Sequence, residues 1–330
     1  MRNSHIVLPT LVAALLLLGG RNFLAAQEIE IPNPVETPLE TRDGLQLKAT
    51  YYPPIATKIV EVEGKQVVVP KKPVELRETI PIIMLHQYKG SRKDFAEAAS
   101  RLQAKGHAVI VPDLRGHGDS TTFVNGKLIT AAGLKTNDFT AMGLDMRAVK
   151  SFLMKKNNEG QLNIEKLCIV GAEMGASLAA NFAAYDWKRV QQPGARKLGR
   201  DVRALVLLSP QISYRGLPMS KFSKIDKRLL PVTRMQWAKM HREMSIMIVV
   251  GKHGKKPYRA AKVFRDSIKL KYPAADNAAN DDKRLLLFGL ETKLQSTDML
   301  NNKALNAQDD LAHFVNLRLV GKNFPWTKRD

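Results

Sequence analysis

The chain alternates short, fully apolar segments with amphipathic ones, and this alternation limits the folds that it can adopt. Apolar runs rich in β-branched residues occur at 80–85, 108–112, 167–170, 204–208, 246–250 and 285–288. Helix-like segments lie between or after them at 92–105, 139–156, 176–185, 258–270 and 307–319. Strands that are apolar on both faces are typical of a parallel sheet that helices cover on both sides. The sequence therefore predicts an α/β fold with a mostly parallel, doubly wound sheet.

The N-terminus carries a pattern typical of a secretory signal peptide. Arg2 precedes an apolar run over 6–18, and the small residues Ala25 and Ala26 follow. The run is too short for an ordinary membrane-spanning helix, and no later segment is apolar enough to span a bilayer. We therefore predict removal of 1–26 and export to the periplasm or the cell exterior, with an uncleaved N-terminal anchor as the alternative.

The rest of the chain is predicted to form one large domain. A polar stretch with several prolines, 27–44, is interpreted as a linker, 45–320 as the folded domain and 321–330 as a C-terminal tail. Two β-rich runs on either side of Glu63 and Gly64 predict an added hairpin. The stretch 211–243 interrupts the alternation between two core strands, so we predict an excursion from the sheet there.

Basic residues outnumber acidic ones and are unevenly distributed. The chain has 52 Lys and Arg against 31 Asp and Glu, a formal net charge of +21, and the segment 188–271 alone holds 22 Lys or Arg against four acids. A strongly basic face attracts an anionic polymer or an acidic surface. We predict an anion-binding patch formed by Lys221, Lys224, Lys227, Arg228, Arg234, Lys239 and Arg242. The alternative is a merely solvated basic surface, because no nucleic-acid-binding motif accompanies the charge.

A glycine-rich turn follows the apolar run 167–170. It is Gly171-Ala172-Glu173-Met174-Gly175, with the small residue Ala176 behind it. In the motif G-x-S-x-G the glycines permit a tight turn from strand to helix, and the central serine is held exposed as a nucleophile. Glu173 occupies the serine position here. A carboxylate can attack a substrate, but a base-activated water must then hydrolyse the covalent product.

Four segments in order resemble the α/β-hydrolase superfamily, and most closely its serine-aminopeptidase-like and lipase-like members. They are the His-Gly loop region 82–90 (IIMLHQYKG), the post-strand motif 111–120 (VPDLRGHGDS), the elbow 168–176 (CIVGAEMGA) and the strand leading to the cap, 205–216 (LVLLSPQISYRG). The similarity spans about 45–319. It implies the α/β-hydrolase fold with a short basic cap at 211–243. It also implies a Ser-His-Asp triad and an oxyanion hole formed by the N–H groups of Tyr88 and Met174.

The resemblance locates the two partners of the nucleophile as well. The family histidine belongs to a pattern like H-G-T-D-M-L, and this chain has Gln295 at the head of QSTDML. The family acid ends a pattern like G-x-x-D, and this chain has Gly254 at the end of GKHG. Glutamine cannot shuttle a proton and glycine has no carboxylate. With Glu173 as the third departure, we predict a catalytically degenerate hydrolase that acts in binding or as a scaffold.

The alternative is an active hydrolase of ester or amide bonds with an unconventional site around Glu173. His86, on the oxyanion-side loop, and His253, beyond the strand that carries the family acid, are the candidate substitutes. With Glu173 they would form an acid/base pair or a metal site, whereas the simpler interpretation makes both histidines structural or exposed. A further expectation is that the Glu173 carboxylate itself fills the oxyanion hole and accepts its N–H groups. No metal or other cofactor is predicted.

Overall fold

An eight-stranded sheet runs through the centre of the protein. The computed structural model describes residues 29–62, 65–189, 197–224, 231–269 and 284–329. The strands in these residues are β1 (Val35–Glu40), β2 (Gln46–Tyr52), β3 (Thr57–Val62), β4 (Lys65–Pro70), β5 (Pro81–Leu85), β6 (Ala108–Pro112), β7 (Leu167–Ala172), β8 (Val202–Leu208), β9 (Ser213–Tyr214), β10 (Leu217–Pro218), β11 (Ser245–Gly251) and β12 (Leu285–Leu290). The central sheet has the order β1-β2-β6-β5-β7-β8-β11-β12.

The pairing within this sheet confirms the doubly wound α/β fold. β1 pairs with β2 and β2 with β6 in antiparallel fashion. Every pair from β6 to β12 is parallel. The six apolar runs predicted as strands are β5, β6, β7, β8, β11 and β12. Because these strands are parallel, their carboxyl ends meet at one edge of the sheet, and loops from several strands can build a common site there.

Helices cover both faces of the sheet. They are α1 (Pro73–Leu76), α2 (Ala96–Ala104), α3 (Thr136–Asn158), α4 (Met174–Lys188), α5 (Ser220–Ser223), α6 (Pro231–Glu243), α7 (Lys255–Lys269), α8 (Ser296–Asn301) and α9 (Ala307–Leu319). Successive strand residues point to opposite faces. Ile83 and Leu85 of β5 therefore join the core under α3, α4, α6 and α7, and Ile82 and Met84 join the core under α2, α8 and α9.

The stretch predicted as a linker, 27–44, contains the edge strand β1 instead. β1 pairs with β2 so that Leu39 faces Leu47 and Pro38 faces Lys48. An edge strand tolerates proline because one side of its backbone has no partner strand. The linker prediction was wrong because the prolines of this stretch were interpreted as a sign of irregular chain.

The described part of the C-terminal tail, 321–329, packs against the domain. Trp326 Nε1 donates a hydrogen bond to the carbonyl of Leu162 at 3.1 Å. The Arg329 guanidinium is buried and pairs with the carboxylates of Glu165, at 2.5 Å, and Asp201. Leu162 and Glu165 precede β7, and Asp201 precedes β8. The tail therefore crosses the end of the sheet opposite to the carboxyl ends of its parallel strands.

Between β8 and β11 the chain leaves the central sheet. β9 and β10 form a separate two-stranded sheet and α5 and α6 follow, so these elements make up the excursion predicted over 211–243. β3 and β4 pair with each other as the predicted hairpin. The predicted signal peptide, 1–26, lies outside the described residues. Among the described residues, no helix is long and apolar enough to cross a membrane.

Candidate active site

The turn from β7 into α4 has the backbone geometry of a nucleophile elbow. Glu173 has φ 45° and ψ −100°, a strained conformation for a residue with a side chain, and its N–H donates to the Leu208 carbonyl at 2.9 Å. A Cβ on Gly175 would stand 2.2 Å from the Leu85 carbonyl oxygen, and a Cβ on Gly171 would stand 2.3 Å from the Gly175 carbonyl oxygen. Both glycines are therefore required because backbone segments approach each other closely.

The Glu173 carboxyl is half-buried and forms no hydrogen bond or ion pair with a described residue. Burial, and then the negative charge of Asp298, raise its pKa above the ordinary value for glutamate. The expectation that this carboxylate accepts the N–H groups of the oxyanion hole is wrong. A side chain caps a helix from an extended backbone, whereas the backbone of Glu173 has a positive φ.

Gln295 lies directly before α8, and both the oxygen and the nitrogen of its side-chain amide form hydrogen bonds. Its Oε1 accepts a hydrogen bond from Ser209 Oγ at 2.7 Å, and its Nε2 donates to the Gly251 carbonyl at 3.0 Å. Ser209 Oγ in turn accepts from the Ser296 N–H at 3.0 Å. No hydrogen bond joins Gln295 to Glu173. These bonds fasten the loop before α8 to the ends of β8 and β11.

Gly254 lies against the Gln295 side chain. A Cβ on Gly254 would stand 2.5 Å from Gln295 Nε2, so a side chain at position 254 would meet the side chain at position 295. The structure thus brings together the two positions that the resemblance assigned to the acid and the histidine. The absence of a side chain at Gly254 leaves the space that the Gln295 amide uses to reach Gly251.

The two candidate substitute histidines do not bond to Glu173. The Leu114 N–H donates to His86 Nε2 at 3.0 Å, so the ring proton is on Nδ1, which donates to the Gln87 carbonyl at 2.7 Å. Burial lowers the pKa of His86 to about 4, which keeps the ring neutral. His253 is exposed, and its Nε2 lies 3.2 Å from a Glu291 carboxylate oxygen. His86 is therefore a structural residue of its loop, and His253 lies at the surface beside Glu291.

Gln87 is a part of the site that sequence reasoning missed. Its Oε1 accepts hydrogen bonds from Ser296 Oγ at 3.2 Å and Thr297 Oγ1 at 3.1 Å, and its Nε2 donates to an Asp94 oxygen at 3.1 Å. In the sequence, Gln87 is one residue of the His-Gly loop region 82–90, and no pattern there marks it as part of a site. Its partners Ser296 and Thr297 are more than 200 positions away in the chain, so no local pattern could have identified them.

Aromatic side chains line the oxyanion side of the site. The Tyr88 ring lies 6.1 Å from that of Phe139 and 6.3 Å from that of Tyr214, and its hydroxyl donates to the Ala131 carbonyl at 2.9 Å. Met174 is the first residue of α4, so its N–H has no acceptor within the helix. The predicted oxyanion residues thus lie on the β5 loop and the elbow, two segments that the close approach of Gly175 to Leu85 holds in contact.

The described members of the predicted anion-binding patch are all exposed. They lie on α5, directly after α5, and on α6. They are Lys221, Lys224, Arg234, Lys239 and Arg242, whereas Lys227 and Arg228 lie outside the described residues. Lys239 pairs with Glu243 at 3.3 Å. The neighbouring helix α7 exposes further cations, namely Lys255, Lys256, Arg259, Lys262 and Lys269. Among the described residues, no group of three or more His, Cys, Asp and Glu is placed to hold a metal ion.

The sheet order and the elbow define an α/β-hydrolase. The family model for serine aminopeptidase, S33 (Hydrolase_4), matches residues 79–303, and the chain belongs to that family. No curated protein matches the chain.

Two solved structures with the same fold cover most of the chain. One is a novel thermophilic esterase from the Planctomycetes species Thermogutta terrifontis, 17% identical, which matches 89% of this chain and 96% of its own with a TM-score of 0.54. The other is DcsB in complex with its substrate analogue, 13% identical, which matches 88% of this chain and 100% of its own with a TM-score of 0.54. At these identities the likeness establishes the fold alone.

Proposed function

We propose that this chain is an exported, catalytically silent α/β-hydrolase that works as a binding or scaffold protein. One observation carries the proposal: the Glu173 carboxyl at the elbow has no base among the described residues, since none of their histidines, nor Gln295, bonds to it. A carboxylate nucleophile forms a covalent intermediate that only a base-activated water releases efficiently. Loss of triad members costs on the order of 10⁴ to 10⁶ in rate. A scaffold with this site would retain its fold and turn over little or no substrate.

The test compares the wild-type protein with Glu173→Ala and with the restored triad Glu173→Ser/Gly254→Asp/Gln295→His. Each protein is assayed with a short-chain aryl ester and with an aminoacyl anilide. We expect no turnover by the wild type above that of Glu173→Ala. We expect measurable turnover by the triple variant, because positions 254 and 295 face each other. Wild-type turnover that Glu173→Ala abolishes would overturn the proposal.

The second candidate is an active hydrolase of ester or amide bonds in which Glu173 is the nucleophile. The observation that favours it is that the elbow presents a half-buried carboxyl that no described residue engages. In that case the Glu173 oxygen would attack the acyl carbon and expel the alcohol or amine, and water would then hydrolyse the anhydride. Glu173→Gln keeps the shape of the side chain and removes the charge, so it should abolish activity while leaving the melting temperature nearly unchanged.

The binding role that we propose involves an anionic partner on the basic face of α6 and α7. The exposed cations of α7 recur at helical spacing at positions 255, 259, 262 and 269, and together with Arg234, Lys239 and Arg242 they give one helical layer an excess of positive charge. Anionic polymers bind such surfaces with strong salt dependence. Charge reversal of Arg259 and Lys262 should lower the salt concentration that elutes the protein from heparin. Reversal of Lys93 and Lys105, beside α2 in the opposite layer, is the matched control. Equal effects of both double variants would contradict a localised anionic site.

Export is tested directly on the mature protein. We expect the N-terminal residue of the protein recovered outside the cytoplasm to be Gln27, as measured by mass spectrometry of its N-terminal peptide. An N-terminus that still contains the apolar run 6–18, in a membrane fraction, would support the uncleaved anchor instead.

A further inference from the structure

A cavity of about 320 Å³ lies between α3, α4 and the β10–α5 part of the excursion. Leu178, Phe182 and Leu217 give it an apolar wall, and all three residues are buried. Its lining includes none of the three residues at the triad positions. It is therefore a concave site separate from the elbow and formed along the length of α4.

The described residues of the lining include three cations from three different helices and no Asp or Glu. The cations are Arg147 of α3, Lys188 of α4 and Lys221 of α5. Arg147 and Lys221 are exposed, and neither forms an ion pair with a described residue. The Arg147 guanidinium lies 5.8 Å from the centre of the Tyr185 ring, which holds it near the cavity mouth. Cations beside an apolar wall favour a ligand that is apolar along its length and anionic at one end.

Gly143 provides an independent observation. It lies in the interior of α3, where glycine is the weakest helix former after proline. No atom lies within 4 Å of the point where its Cβ would stand, so packing against the described residues does not require glycine. Gly143 lines the cavity, and a side chain there would project into open space. The missing side chain is accounted for if a ligand occupies that space.

Asn181 places an unused acceptor at the same cavity. Its Nδ2 donates to the carbonyls of Ser177 at 2.8 Å and Pro218 at 3.2 Å, and this fixes the orientation of the amide. Its Oδ1 is buried and accepts no hydrogen bond from a described residue. Buried acceptors without a partner are rare, so Asn181 is a polar group in the cavity lining that the described residues leave unsatisfied.

We propose that this cavity binds a single-chain amphipathic anion. Its apolar chain would lie against Leu178 and Phe182 and pass Gly143, and its carboxylate or phosphate head would lie between Arg147 and Lys221. This site requires neither an active nor an inactive elbow. Its existence can therefore be tested independently of the proposed function.

The experiment measures binding of four probes to the full-length mature protein by isothermal titration calorimetry, below the micelle concentration of each probe. The probes are dodecanoate, dodecyl phosphate, dodecanol and dodecyltrimethylammonium, which share one chain and differ in the head. We expect one molecule of each anion per chain, with dodecanol roughly tenfold weaker and the ammonium weaker still. The tighter of the two anions identifies the head group as a carboxylate or a phosphate. Equal affinity for the anionic and cationic probes would overturn the proposal.

Variants at Gly143 assign the binding to this cavity. Gly143→Phe fills the space and should weaken anion binding by roughly tenfold or more, and the single added methyl of Gly143→Ala should weaken it by a smaller factor. Arg147→Gln should weaken the anions but not dodecanol. The Glu173→Ala variant serves as the control for the elbow and should bind as the wild type does. A Gly143→Phe protein that melts like the wild type and binds with the same affinity would refute the site.

Discussion

The Gln295 amide nitrogen lies 2.5 Å from the point that a Cβ on Gly254 would occupy. In a hydrolase triad the two positions hold a histidine and the acid that orients it. In this chain position 295 holds an uncharged amide and position 254 has no side chain, and the amide occupies the space between them. The pair forms a structural contact that joins the loop before α8 to the end of β11.

This contact predicts an energetic coupling between the two positions. Gly254→Ala should destabilise the protein by about 1–3 kcal/mol because its Cβ displaces the Gln295 amide. In a Gln295→Ala background most of that cost should disappear. Gly175→Ala is the control, since its Cβ would meet backbone atoms of Leu85 and His86 rather than Gln295 and should be costly in both backgrounds. Urea unfolding of the single and double variants measures the coupling, and strictly additive effects would contradict it.

The buried pairing of Arg329 predicts that the C-terminal tail is needed for stability. Arg329→Ala leaves the carboxylates of Glu165 and Asp201 without one of their cations and should cost about 3 kcal/mol. Arg101→Ala removes an exposed pair with Asp309 and should cost at most about 1 kcal/mol. Chemical unfolding of the two variants measures the difference. Equal losses of unfolding free energy would show that the tail contact is no stronger than a surface pair.

Buried histidines predict a loss of stability at acid pH. Burial lowers the pKa of His86 and of His107 to about 4 in the folded protein, from an ordinary value of 6.5. Between these two pH values the unfolded chain binds more protons than the folded one, so the free energy of unfolding falls as the pH is lowered through this window. Each histidine should account for up to about 3 kcal/mol by pH 4.

Urea unfolding at several pH values between 7 and 4 measures this dependence. His107→Gln removes one titrating group and should reduce the slope of unfolding free energy against pH. The same slope in His107→Gln and the wild type would contradict a role for His107.

Replacing a glycine by alanine is predicted to have opposite effects on stability in the elbow and in α3. Gly175→Ala should destabilise the protein by about 3 kcal/mol or more, because its Cβ would stand 2.2 Å from the Leu85 carbonyl. Gly143→Ala should stabilise it by about 0.5–1 kcal/mol, because alanine is the better helix former and no atom lies within 4 Å. Thermal unfolding measures both shifts, and a lower melting temperature for Gly143→Ala would contradict the open space at that position.

Local sequence patterns were sufficient for the central sheet and the elbow. The parallel strands are apolar throughout because both of their faces are buried, so a few consecutive residues are enough to recognise each of them. They are β5, β6, β7, β8, β11 and β12. The elbow glycines were recognisable because a tight strand-to-helix turn needs them at fixed spacing. Edge strand β1 was not recognisable from local patterns, since a strand with one unpaired side accepts the prolines that elsewhere indicate irregular chain.

The sequence by itself determined the order of strands and helices and the chemical identity of Glu173, Gln295 and Gly254. Only the tertiary structure decided what these side chains contact. Ser209 bonds to Gln295, and Gln87 to Ser296, across 86 and 209 positions of the chain. Secondary structure depends on the periodicity of neighbouring residues, whereas a side-chain hydrogen bond depends on distances that exist only after the strands have assembled. For that reason the identities of these three residues were visible in the sequence, and the hydrogen-bond network around them was visible only in the fold.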